Sequence, residues 1–408
     1  MATTSSNKRP VLDWWAQYMT DGTTFPNLAS LKSKAHGGDS GTVSEFLEVR
    51  NNIRNGLGPS LYPVGTTFTV PHAVYGDITF DVADHNHHKK PGDNNAPTMT
   101  LVMSKGIPGI PFDIKEAAYA VTKDRHPGGL PAGDYYFNLG TRSYEYGNTG
   151  KWSYLSFTTT KPIPVGGQIY VTNWGIPGYD QISSSSCTIA TYSAPDSESA
   201  IESGLTLDWR KKGTSLGTIS ISVLPNGYVN TWQRIRMGNN SWKESHIRQW
   251  LNSSSMSGRW WKPANPFGRK ASPFATMDGF LKGLDSGFVK SLGFVDVVTR
   301  TNNIYENDNQ QGVNTYTTHD RFFLLSRDEA GFGTEEIAQG SVLAVFDGED
   351  NEARIKYSIM DPTQKIDWIL RSPDPAYTER IRLVSTSGSV LRQSAYSLSG
   401  IVPACVVY

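Results

Sequence analysis

The chain is poor in cysteine: two, Cys187 and Cys405, in 408 residues. A disulfide framework is therefore excluded and at most one bridge remains. There is no run of about 18 apolar residues, so no membrane span is expected. The N-terminus, MATTSSNKRPVLDWW, is polar and lacks the apolar stretch of a signal peptide. The expectation is a chain made in a cytoplasm. Neither charge sign is in excess, since Lys plus Arg and Asp plus Glu both number 38. That balance argues against a general nucleic-acid binder, though not against a local basic patch. Gly-X-Ser-X-Gly, His-Glu-X-X-His and a phosphate-cradling glycine loop are all missing.

Glycine (39), proline (23) and tryptophan (11) are present in quantity. Dense turn residues with many aromatics point to a loop-heavy β protein with a sizeable core. Helices are expected over 13–20 and 43–55, the second capped by Ser44 with Phe46, Leu47, Val49 and Ile53 on one face. From Leu61 the period changes to two. Strands are expected at 65–70, 76–82 and 99–103, followed by a short helix over 112–121. Further strands are expected at 135–139, 152–158, 168–172 and 187–192. Ser241 and Glu244 read as a capping box for a helix over 242–251. A helix pair over 274–284 and 286–292 breaks at Gly283. Strands at 294–299, 322–326, 356–358, 368–371, 380–385 and 401–407 complete the reading. The segments 368–371 and 401–407 are expected in one sheet, with the 242–251 helix packed on it and Trp250 buried.

Four ordered segments carry a resemblance: NSWKESHIRQWLN at 240–252, GFLKGL at 279–284 leading to FVK at 288–290, RFFLLSRDEA at 321–330, and WILRSP at 368–373 with IVPA at 401–404. FDVADHNH at 80–87 and MTL at 99–101 add to it. Together they resemble an uncharacterised domain family of gut-type bacteria, their phages and prophages, over about residues 61–125 and 225–408. That family resembles the C-type-lectin-like fold shared by formylglycine-generating enzymes and retroelement-diversified variable proteins. The resemblance implies a β-rich α+β fold in which the final strands pair with early ones and the stretch 368–407 contributes to a ligand-facing side. The implied layout is an N-terminal arm and helices (1–60), a C-type-lectin-like domain in two parts (61–129 and 226–408), and a β-rich insertion (130–225). It implies a non-enzymatic virion structural protein. The other readings are a receptor- or carbohydrate-binding protein, and an oxidase, which the wide cysteine spacing disfavours. Partners would be other virion subunits, further copies of the chain, and a host surface glycan or protein, with no nucleic acid and no cofactor.

Candidate site residues are few. Tyr144, Tyr146, Trp152 and Trp174 in the insertion are candidates for stacking on sugar rings, with core packing as the alternative. Trp14 and Trp15 are adjacent, so on a helix their side chains diverge by about 100°. At least one is then expected to meet another surface, and residues 1–60 are expected to serve association. His85 and His87 would share a strand face, but no carboxylate or cysteine nearby in sequence completes a metal set, so no transition metal is expected at His85, His87 and His88. The acidic run 347–352 reads as a plain loop or an oxygen-donor calcium loop. His319 and Asp320 read as a turn before a strand, so an acid–base group with His246 and Arg321 is not expected. Trp242, Trp250, Trp260 and Trp261 are expected in the core, and Cys405 as a buried thiol.

Overall fold

The computed structural model describes residues 42–114, 119–121, 123, 126–141, 152–159, 162–173, 187–192, 201–211, 220–222, 238–262, 276–301, 314–375, 377 and 379–408. For 42–44, 119–120 and the strands between 133 and 222 it describes the backbone alone. Trp14, Trp15, Tyr144, Tyr146 and Trp174 lie outside these residues, and Trp152 is described by its backbone only.

The chain is a β-rich α+β protein. Helix α1 (Thr42–Arg54) buries Phe46, Val49 and Ile53 at helical spacing. It ends in a Schellman motif: Leu57 N–H reaches the Asn52 carbonyl, Gly56 N–H reaches that of Ile53, and Gly56 has φ of 75°. Ser44 lies inside its first turn rather than capping it. Phe46 packs edge-on against Phe288, with centroids 5.0 Å apart. A boundary at residue 60 therefore cuts through the core, and at least α1 serves folding. A helical turn, α2 (Gly58–Leu61), leads into the strands.

Strands β1 (Thr67–His72) and β2 (Gly76–His85) form a hairpin whose inner face carries Phe68, Val70, Ile78, Phe80 and Val82, the period-two pattern read from sequence. Strand β3 (Met99–Met103) is buried at every residue, as a strand covered on both faces must be. Strand β4 (Ile107–Pro111) follows after a bend at Gly106. A Cβ on Gly106 would sit 2.9 Å from the Ile401 carbonyl, so only glycine fits this close approach.

A second set of strands lies in the insertion: β5 (Tyr119–Ala120), β6 (Gly133–Thr141), β7 (Trp152–Thr159), β8 (Gln168–Asn173), β9 (Cys187–Tyr192), β10 (Ile201–Lys211) and β11 (Ser220–Ser222). They form their own sheet in the order β11-β6-β7-β10-β9-β8-β5. The helix expected over 112–121 does not occur among its described residues. Phe112–Ile114 is loop and Tyr119–Ala120 already pairs with β8, so the insertion begins before residue 130.

The C-terminal part holds α3 (His246–Leu251), α4 (Phe280–Gly283), α5 (Ser286–Ser291), β12 (Val295–Arg300), β13 (Thr315–Asp320), β14 (Phe322–Leu324), β15 (Lys356–Tyr357), β16 (Lys365–Ile366), β17 (Trp368–Pro373), β18 (Arg380–Val384), β19 (Val390–Ser394), β20 (Leu398–Ile401) and β21 (Pro403–Val407). Two five-stranded sheets enclose the core, in the orders β1-β2-β3-β21-β14 and β19-β18-β17-β20-β4. The stretch expected as a single strand over 401–407 is thus two. Ile401 pairs with Ile369 in one sheet, and residues 404–407 pair with β3 in the other. The chain crosses between sheets at Val402, as it does at Gly106, and the two crossings lie side by side.

The helices are shorter than the apolar pattern predicted. Residues 241–245 form a turn, and Ser245, not Ser241, caps α3, its Oγ accepting from Arg248 N–H at 3.3 Å. The turn sends Trp242 into the core, where Nε1 donates to Thr318 Oγ1 and Asp320. Helix α4 starts only at Phe280, and Asp285 caps α5, its carboxylate accepting from Phe288 N–H at 2.8 Å.

His72 is enclosed where β1 meets α4. Its ring stacks on Phe280 at 5.1 Å, and the backbone of Gly283 lies so close that an added Cβ would overlap the imidazole. Nδ1 accepts from Val74 and Tyr75 N–H, so Nε2 carries the proton and donates to the Phe280 carbonyl. Burial depresses the His72 pKa from 6.5 to about 4, against a smaller upward pull from the Phe280 carbonyl. The unfolded chain therefore binds a proton that the folded chain refuses. Stability from this residue is complete above pH 6.5 and is lost as pH falls from 6.5 toward 4. The loss expected is on the order of 3 kcal/mol. Urea unfolding at pH 7, 5.5 and 4 checks it, with His72→Asn flattening that part of the slope.

Candidate functional site

The turn after β2 builds the most chemically loaded place among the described residues. Asn86 adopts φ of 59°, and its backbone and side chain both pair with Thr98. Asparagine tolerates this left-handed geometry because its short amide bonds locally. The reversal separates the three histidines. His85 Nε2 turns to the Tyr62 carbonyl at 2.8 Å. His87 Nδ1 meets Asp84 Oδ2 at 3.1 Å. His88 is buried, with Nδ1 at 3.1 Å from Thr100 Oγ1 and Nε2 at 3.2 Å from Glu329 Oε1. The strand-face pairing of His85 with His87 does not occur; His87 and His88 are the pair brought together, with ring centroids 4.7 Å apart. The carboxylates that meet these rings are Asp84, three residues before His87, and Glu329, far along the chain and absent from the local sequence.

Glu329 follows β14 in a tight turn. Ser326 N–H donates to its Oε2, and its own N–H donates to Ser326 Oγ. Arg371, buried at the middle of β17, holds the carboxylate bidentately at 2.5 and 2.7 Å. The same guanidinium donates to the carbonyls of Leu324, Val298 and Gln339. Burial opposes ionisation of Glu329, but Arg371, aided by His88, outweighs it and holds the carboxyl well below its usual range. Burial pushes His88 down more than Glu329 pulls it up, so its imidazole is neutral at pH 7. Asp84 accepts from the N–H groups of His85 and Ala344, and these bonds together with His87 lower its pKa against the opposing effect of burial.

One wall of this network opens on a cleft of about 320 Å³ lined by His87, His88, Lys89, Lys90, Asn94 and Glu329. A neighbouring cleft of about 490 Å³ shares Gly340 and Ser341 with it and is bounded by Asp347, Glu349 and Arg354. Residues 347–349 of the acidic run 347–352 line it, and the run is exposed. Asp350 there caps a short turn through Glu352 N–H at 2.8 Å, and Arg354 ties down the Asp350 carbonyl.

The remaining candidates are dispersed. His319 and Asp320 end β13 rather than form a turn, and as neighbours on a strand they face opposite ways. Asp320 is buried and accepts from Arg248 Nε at 2.7 Å; His319 is exposed beside Asp296 and stacks on Phe294. His246 pairs with buried Asp113 and stacks on Trp261. Trp242, Trp250, Trp260 and Trp261 are all core residues. Cys405 is fully buried in β21, and burial pushes its thiol up, the opposite of what a reactive cysteine needs. Glu329 and Arg371 escaped the sequence reading. The available signal was an arginine inside the apolar run WILRSP, because a buried charge requires a partner.

The model of a domain of unknown function, DUF6273, matches residues 219–408, just under half of the chain. The match includes Glu329 and Arg371 but not Asp84, His87 or His88. No curated protein and no solved structure matches the chain.

Proposed function

We propose that the chain is a non-enzymatic structural component of a bacteriophage or prophage particle, a C-type-lectin-like body carrying a second β module. The observation that carries this reading is the way the chain closes. The last strand, β21, enters between β3 and β14, and β20 pairs with β4, so the final residues complete both sheets begun before the insertion. Among the described residues, the insertion's strands meanwhile pair only with one another. A body whose two sheets each join strands from before and after the insertion, and which bears a separately bonded sheet, suits a subunit that holds one element in an assembly and presents another. The resemblance of the body's motifs to phage and prophage domains supplies the setting. Its partners are then other subunits of the particle and further copies of itself.

Mass spectrometry of particles purified by density gradient from a producing culture is the test. The chain is expected in fixed ratio to the coat proteins. Its recovery only from the soluble lysate, with particles lacking it, overturns the reading.

A further inference from the structure

We infer that His87, His88 and Glu329 form a binding site for a divalent transition metal of the zinc class, with an open coordination position facing the cleft. One ligand atom from each of the three lies within 4.8 Å of the others. The His88 Nε2 to Glu329 Oε1 separation of 3.2 Å matches the edge of a tetrahedron with metal bonds of about 2.0 Å, which is about 3.3 Å. Two imidazoles and one carboxylate are the donor set of open zinc sites, which leave the fourth position to water or a ligand. Calcium and magnesium favour shells built from oxygen, and this set offers two nitrogens.

The outer contacts are those that a metal site requires. Histidine ligands are oriented by a partner on the other ring nitrogen, often a carboxylate. His87 has Asp84 on Nδ1, which leaves Nε2 as its metal-binding atom. Asp84 is itself fixed by two backbone N–H groups. His88 has Thr100 on Nδ1 and presents Nε2 to Glu329. Arg371 and Ser326 N–H hold the carboxylate in place. Every ligand is thus anchored from behind, and the three converge on one side, where the cleft begins. Without metal, a proton on His88 Nε2 satisfies the contact with Glu329; the metal substitutes for that proton. From sequence alone no metal was expected here, because the third donor sits 241 positions from His88.

The test uses the full chain without an affinity tag, stripped by a chelator and titrated with zinc sulfate by calorimetry, with metal content read by elemental analysis. One equivalent of zinc is expected. His87→Ala is expected to weaken binding at least 100-fold while leaving the thermal melt of the metal-free protein nearly unchanged, since it leaves the Arg371–Glu329 pair intact. Asp84→Asn is expected to weaken it roughly 10–100-fold. His85→Ala, whose ring turns to Tyr62, is expected to bind as the unaltered chain does. Absence of a saturable zinc equivalent, undiminished binding by His87→Ala, loss of binding in His85→Ala, or uptake of calcium in place of zinc each overturns the proposal. The outcome is independent of whether the chain is found in particles.

Discussion

Arg371→Met is expected to destabilise the body by about 3–5 kcal/mol, the cost of removing one partner of a buried ion pair. Arg371 is 1% exposed and Glu329 2%, so water replaces none of the lost bonds. The guanidinium joins Glu329 to the carbonyls of Leu324, Val298 and Gln339, and so links β17 to β12, to the end of β14 and to the 339 loop. Methionine fills much of the volume but removes the guanidinium from those carbonyls and leaves the Glu329 carboxylate only its contacts with Ser326 N–H and His88, without the opposing charge. Arg371→Lys is expected to fall between, because an ammonium retains the charge but not the planar fork. Adding Glu329→Gln to Arg371→Met is expected to recover part of the loss, since the orphaned charge is then gone. Urea unfolding of the three variants checks the order. Equal stability of Arg371→Met and the unaltered chain would show that the pair contributes nothing net.

Trp250→Ala is expected to cost about 3–5 kcal/mol, the usual range for removing a large aromatic from a core. The side chain is 1% exposed, packs against Phe280 at 5.3 Å, and donates from Nε1 to the Asp278 carbonyl at 2.9 Å. It therefore pins α3 to the segment leading into α4. Because Phe280 also stacks on His72 and touches Phe322 edge-on, the cavity opens where α3, α4, β1 and β14 converge. A fall in the melting temperature of roughly 6–20 °C corresponds to that loss for a body of this size. Trp250→Phe is expected to cost less than half as much, by keeping most of the packing and losing the hydrogen bond. A melting temperature within a degree or two of the unaltered chain for Trp250→Ala would place the ring outside the cooperative core.

The candidate site was only half legible from its residues. The histidine-rich turn stood out; the run WILRSP carried the resemblance but was not read as part of a site, and nothing local joined the two. The strand-face rule grouped His85 with His87, because it assumes an extended chain through Asn86. A single left-handed residue there redirects the next two side chains, and one residue's backbone angle is not encoded in a two-residue period.

What the sequence determined by itself was which side of each element faces inward. Alternation along β1 and β2, unbroken burial in β3, and the spacing of Phe46, Val49 and Ile53 follow from side-chain periods that operate within a few residues. The burial of Trp250 and of the thiol of Cys405 followed in the same way. What only the tertiary structure decided was pairing over long separations. That includes the passage of the chain between sheets at Val402 and the shortening of α3 so that Trp242 could reach Asp320. Above all it includes the meeting of His88, Glu329 and Arg371. Apolar faces are specified by repetition, which survives local reading. A buried charge is specified by one partner at one place, and that partner's position is set by the closure of the whole chain.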